Sequence, residues 1–208
     1  MKKKIIYKTI KKSSGPILFK DRKSKFYGYA YGVKSTYEIK SILKDLQQKY
    51  PSANHICYAW RLGPHPTSYR ANDDGEPTNS AGLPIYRQIE ATGLSNSLII
   101  VVRFFGGTKL GVGGLINAYR TTAKLAIEKS VISTLIIEDT FELHFKYPDM
   151  NAVMRLLKQK RIKIHHQELK DNCIITIKVM EQDSAKTALA FEDLYGVRVK
   201  KIISRAKQ

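Results

Sequence analysis

Three segments of the chain hold residue types that could do chemistry. The first is Asn54-His55-Ile56-Cys57-Tyr58-Ala59-Trp60-Arg61. On a strand, alternate residues share a face. His55, Cys57, Ala59 and Arg61 then point one way, while Ile56, Tyr58 and Trp60 point the other way, toward a core. A histidine in line with Arg61 offers a phosphate contact or a base near neutral pH. It fits a structural histidine bonded to neighbouring backbone equally well.

The second segment is Asp73-Asp74-Gly75-Glu76-Pro77, followed by Asn79-Ser80-Ala81-Gly82-Leu83-Pro84. Three carboxylates in four residues repel one another unless a cation, a helix start or an arginine offsets the crowding. His55, Asp73, Asp74 and Glu76 are therefore the candidate catalytic residues. Asp73, Asp74 and Glu76 are also weak candidate ligands for a hard cation such as Mg²⁺. The favoured reading is structural: ion pairs to Arg70 or Arg103 and bonds to backbone N–H groups hold the loop. Asn79 or Ser80 is expected to cap the helix that follows.

The third segment runs from Arg103 to Leu115, Arg-Phe-Phe-Gly-Gly-Thr-Lys-Leu-Gly-Val-Gly-Gly-Leu. A buried strand enters a glycine-rich turn over residues 106–114, and a helix follows. Glycines let backbone N–H groups approach an anion, and a helix start adds the positive end of its dipole. The candidate anion or nucleic-acid contacts are His55, Arg61, Arg103, Gly106, Gly107, Lys109, Gly111, Gly113, Gly114 and Arg120. Tight turns and close packing account for the glycines equally well. The spacing lacks the closing Gly-Lys-Ser/Thr of a P-loop and the last glycine of Gly-x-Gly-x-x-Gly. Kinase and dehydrogenase chemistry is thereby disfavoured. Spacing alone reveals no Ser-His-Asp order, oriented Cys-His pair or Cys-x-x-Cys pair.

Periodicity supplies the elements that must position these residues. Residues 5–10 and 24–33 read as strands. In the second, Phe26, Gly28, Ala30 and Gly32 form a small face that expects a close neighbour. A helix over residues 35–49 has Ser35 or Thr36 as its cap and Pro51 beyond its end. Residues 55–62 read as a strand, 63–80 as a polar loop with some extended structure, 83–92 as a helix, 97–105 as a strand and 115–129 as a helix. A second unit starts near Asp139, after a short linker over 131–139. Its strands at 141–145, 163–169, 173–180 and 197–203, with helices at 149–159 and 183–194, give the order βαββαβ.

The chain has 208 residues and a net charge of +18, with 43% hydrophobic residues. Residues 1–138 carry 22 basic and 9 acidic side chains, and ten of the basic ones precede position 26. Such an excess attracts polyanions through counterion release, with RNA or the ribosome as the natural partner. Lysine enrichment for solubility is the plainer alternative. No apolar run approaches a membrane span, and no signal peptide is expected. Two distant cysteines, Cys57 and Cys173, fit a reducing cytoplasm.

Together these segments resemble the YigZ/IMPACT family. The resemblance rests on the histidine strand at His55, the Asp73 to Pro77 loop with Ala81 to Pro84, Arg103 to Leu115, and Tyr119 with Arg120. It runs from about Phe19 to Lys129, and the last third resembles the C-terminal domain of bacterial members. Thr78-Asn79-Ser80 departs from the smaller residues expected there. The resemblance implies an α+β protein of two domains. Residues 1–135 would form an N-terminal domain like the second domain of ribosomal protein S5. Residues 139–208 would form a ferredoxin-like βαββαβ domain like those of translocating elongation factors. Eukaryotic relatives act as translational regulators, through a separate N-terminal domain whose role does not carry over. The combined expectation is a cytoplasmic, translation-linked regulator that binds RNA or the ribosome, leaning away from an enzyme. The alternatives are a metal-assisted phosphoryl hydrolase built on the acidic loop with His55, Arg103 and Lys109, or a regulator acting only on a protein partner.

Overall fold

The computed structural model describes residues 5–64 and 68–202. Residues 7–135 form one compact unit, and residues 136–202 form another together with residues 5 and 6. Apart from the end residues Ile6 and Ile136, the first unit runs β1 (Ile6–Lys12), β2 (Ser14–Asp21), β3 (Ser24–Gly32), α1 (Thr36–Lys49), β4 (His55–Leu62), β5 (Ser68–Asn72), α2 (Gly82–Thr92), β6 (Ser97–Phe104), α3 (Gly111–Lys129) and β7 (Val131–Ile136).

A strand packed on both faces must be apolar along its middle, and β6 runs Leu98 to Val102 fully buried, with buried Ser97 and Arg103 at either end. It lies at the middle of a five-stranded sheet of order β2-β3-β6-β4-β5, with antiparallel neighbours throughout. On one face Tyr29, Val33, Trp60, Leu98, Ile100 and Val102 meet Ile39 and Leu46 of α1. On the other, Phe26, Ala30, Cys57, Ala59, Ile99 and Val101 meet α2 and α3. Both faces of β4 are therefore packed, not only that of Ile56, Tyr58 and Trp60. The small face of β3 has the close neighbour it requires. A Cβ on Gly28 would lie 2.9 Å from both Cγ2 and the carbonyl oxygen of Thr122 in α3.

Ser35 caps α1 through its side chain, which accepts from the Glu38 N–H, and Gly93 closes α2 in the left-handed conformation. Two strands differ from the sequence expectation. β2 pairs with β3 through a two-residue hairpin whose central residues, Arg22 and Lys23, have φ of 40° and 68°. The usual Asn-Gly or Gly-Gly signal of such a turn is missing, which hid the strand. Residues 131–136, read as a linker, form β7, which pairs with β1. The last helix of the unit begins at Gly111 rather than Leu115, so three glycines belong to its first turn.

The second unit runs β8 (Glu138–Lys146), α4 (Met150–Gln159), β9 (Ile164–Glu168), β10 (Asn172–Met180), α5 (Ser184–Glu192) and β11 (Arg198–Ile202), with short 3-10 turns before both helices. Its sheet order, β11-β8-β10-β9, is the ferredoxin-like one. Phe141, Leu143 and Phe145 alternate with exposed or half-exposed residues, as do Cys173, Ile175, Ile177 and Val179. They bury one face against Val153 and Leu157 of α4 and Phe191 of α5. The α+β class read from the sequence is the class observed.

Replacing Gly28 by Ala forces the new methyl group against the α3 backbone. We expect a loss of about 1–3 kcal/mol, read as a lower urea midpoint at unchanged slope.

Candidate anion-binding cleft

Strands β4 and β6 bring His55 directly opposite Arg103 at one end of the first sheet. The acidic loop folds onto that end through bonds to backbone. Asp74 Oδ2 accepts from the Ile56 N–H at 2.6 Å, and the Asp74 carbonyl accepts from His55 Nδ1 at 2.7 Å. That second bond places a proton on Nδ1 and leaves Nε2 to face elsewhere. Asp73 acts further along the chain. Its Oδ2 accepts from the Asn79 N–H at 2.9 Å, and its Oδ1 accepts from Ala81 and Gly82 at 2.9 and 2.8 Å. The cap of α2 is therefore Asp73, eight residues upstream of Ala81, and not Asn79 or Ser80. The Ser80 hydroxyl instead donates to the Pro77 carbonyl.

Glu76 turns inward and is only 8% exposed. Its Oε1 accepts from Arg103 Nη1 at 2.5 Å and from the Tyr119 hydroxyl at 2.7 Å, with His55 Nε2 at 4.0 Å. Arg103, 6% exposed, lies between aromatic rings, its Cζ 5.5 Å from the Phe26 centroid and 5.6 Å from that of Phe105. Of the two arginines proposed for the loop, Arg103 makes the ion pair; Arg70 lies on β5, opposite Trp60. Cys57 Sγ lies 3.0 Å from the Asp73 carbonyl and 3.3 Å from the Tyr119 hydroxyl. Burial pushes the Cys57 thiol well up, partly opposed by the Tyr119 hydroxyl and reinforced by the nearby carboxylates. Burial likewise raises Tyr119, with Cys57 and Glu76 adding to the shift. Both groups stay neutral near pH 7, so Cys57 is no activated nucleophile.

Beside this network lies an open cleft of about 490 Å³, lined by Asn54, His55, Glu76, Pro77, Arg103, Phe105, Lys109, Leu110, Gly111, Val112 and Leu115. It holds the start of α3, which has no side-chain cap and no acidic residue in its first turn. The first amides of a 19-residue helix are thus left without a side-chain acceptor of their own beside Lys109. Larger hollows of about 700 and 780 Å³ occur in the second unit and include none of the three segments.

The structure gathers His55, Glu76, Arg103, Lys109 and Gly111 in one cleft and leaves the other sequence candidates outside it. Arg61 lies six residues along β4 from His55, roughly 20 Å away. Gly106 serves close packing, because a Cβ there would fall 2.1 Å from the Lys23 carbonyl carbon. Gly107 turns the chain at φ +84°. Gly113 and Gly114 lie in the first turn of α3, and Arg120 is exposed further along it. Asp73 and Asp74 do not line the cleft. Among the described residues, no group of three or more His, Cys, Asp or Glu side chains is placed to hold a metal ion. Asn54, Phe105 and Val112 line the cleft without having been singled out.

Removing one partner of the buried pair strands the other. Glu76→Ala should cost about 3–5 kcal/mol in urea unfolding. Asp74→Asn should cost about 1 kcal/mol, and millimolar Mg²⁺ should leave the Tm of either chain unmoved. Cys57 and Tyr119 also set an alkaline limit. Their folded values lie above the ordinary 9.0 and 10.0, so the unfolded chain releases these protons first. Stability is full below pH 9 and should fall as pH rises beyond it, a trend measurable by thermal melts across that range.

Residues 22–127 match the model of the Impact N-terminal domain. An IMPACT family member of Thermus thermophilus is 41% identical over 115 residues, covering 54% of this chain and 61% of that one. The IMPACT family member YvyE of Bacillus subtilis is 36% identical over 97 residues, covering 47% and 45%. The matches thus span less than two thirds of those relatives. A crystal structure of a hypothetical protein shares the fold, with a TM-score of 0.70, 21% identity, and coverage of 96% of this chain and 98% of that one. With more than half its length matched by the family's domain, the chain belongs to the IMPACT family.

Proposed function

We propose that this protein is a cytoplasmic, translation-linked regulator that binds RNA or the ribosome through its basic surface and the cleft at the start of α3. One observation carries the reading: the uncapped amides of α3, Lys109 and His55 converge on a cleft whose one carboxylate, Glu76, is already paired with Arg103. A backbone phosphate is the complementary ligand. The net charge of +18 supplies long-range attraction. The link to translation comes from the IMPACT family, whose eukaryotic members the sequence resemblance associates with translational control. No helix among the described residues is long and apolar enough to cross a membrane.

A metal-assisted phosphoryl hydrolase would need carboxylates turned toward a cation. Asp73, Asp74 and Glu76 instead accept from backbone amides, Arg103 and Tyr119. A metal has no part in the proposed activity.

The test is RNA binding as a function of salt. Affinity should fall linearly on log–log axes, and Lys109→Ala should flatten the slope by roughly 0.7–0.9. Lys170→Ala, in the β9–β10 turn, should change it less. Arg103→Ala is the wrong probe, since it breaks the Glu76 pair. Absent binding at low salt, or a salt-independent affinity, would leave a purely protein-directed regulator as the better reading.

A further inference from the structure

The glycine turn after β6 and the hairpin between β2 and β3 are locked together. Gly106 lies so close to Lys23 that no side chain fits, and its N–H donates to the Ser24 hydroxyl at 3.1 Å. Across that contact Arg22 and Lys23 both hold positive φ, a conformation that non-glycine residues keep where the surroundings impose it. The lock leaves Phe105 outside the core. Its N–H donates to Asn54 Oδ1 at 2.8 Å, its ring lies against the Arg103 guanidinium, and it is 45% exposed.

Phe105 borders two hollows. One is the cleft at the start of α3. The other, about 330 Å³, is lined by Lys23, Lys25, Tyr27, Phe104 and Phe105, with no carboxylate. Lys23, Lys25 and Lys109 are all exposed. An exposed aromatic ring thus stands between lysines on one side and a lysine with an uncapped helix start on the other.

We propose that this ridge binds single-stranded RNA, one base stacking on Phe105 while the flanking phosphates lie against Lys23 and Lys25 on one side and Lys109 with the first α3 amides on the other. The proposal rests on the polyanion reading above and adds the strand state and the stacking contact. Sequence-tolerant single-strand sites combine basic grooves with aromatic platforms, because every base has a π face. In an RNA duplex those faces are hidden by stacking, and the ring would have no base to meet. An acidic protein segment would satisfy the lysines but leave the ring unused.

The experiment measures binding of full-length protein to labelled oligouridine, to an RNA duplex of equal length and to inorganic polyphosphate, each across a salt series. Oligouridine should bind more tightly than duplex. Phe105→Ala should weaken oligouridine binding about tenfold without changing the salt slope, and should leave polyphosphate binding unaltered. Phe105→Trp should retain oligouridine binding. Lys23→Ala with Lys25→Ala should instead flatten the slope by about 0.7 per lysine. Duplex binding equal to or tighter than oligouridine binding would overturn the proposal. So would a Phe105→Ala chain that binds oligouridine normally or loses polyphosphate equally. In those outcomes polyanion binding itself survives. If none of the three polymers binds, the polyanion reading fails and this inference falls with it.

Discussion

The Glu76 carboxylate, buried against Arg103 and Tyr119, is the contact on which the functional end of the first unit depends. A charge taken out of water must be matched by a partner and by hydrogen bonds that occupy its lone pairs. Glu76 comes from the acidic loop, Arg103 from β6 and Tyr119 from α3, so one oxygen ties loop, sheet and helix together. The tie also fixes the rotation of α3. With Tyr119 inward, Leu115, Ala118, Thr122 and Ala126 follow on the buried side, and Gly111 and Val112 are left at the cleft. Gly28 admits the helix closely enough for that geometry, since a side chain there would collide with Thr122.

The same contact explains how an acidic loop fits a chain whose net charge is +18. Each carboxylate is turned to an internal use: Asp73 caps α2, Asp74 holds the start of β4, and Glu76 neutralises Arg103. What faces the cleft besides the Glu76–Arg103 pair is the charge of Lys109 and the partial charge of the α3 amides, with His55 beside them. Proximity of opposite charges in the sequence therefore says little about the sign of the site. The sign follows from which groups are already paired in the fold.

Much of this was legible in the sequence, and each failure has its own physical cause. The two-residue alternation of 55–62 and the apolar run of 97–105 marked both strands, and the register of the sheet then sets His55 opposite Arg103. The ferredoxin-like order of the second unit followed from clean alternation in β8 and β10. Local rules misled at several other places. Asp73 caps a helix that starts nine residues later, where local rules pointed to Ser80 or Asn79. The β2–β3 turn uses Arg22 and Lys23 where glycine or asparagine would have announced it, so Lys23 could not be placed beside Phe105. Three glycines read as loop became helix because α3 draws its stability from Leu115 onward, and packing there outweighs the poor helix propensity of the first turn.

The division between Arg103 and Lys109 reflects the physics of each side chain. A guanidinium is planar and weakly hydrated, so it tolerates burial between Phe26 and Phe105 while its Nη1 donates to Glu76. An ammonium is a strongly hydrated point charge, suited to an exposed turn. Exchanging the two would place a hydrated charge in the core and a rigid fork in solvent. The buried cation therefore holds the packed end of the sheet and the exposed one stays hydrated, although the two stand only six residues apart in one glycine-rich segment. The glycines between them let the chain pass from the dry interior of β6 to the open start of α3 within that distance.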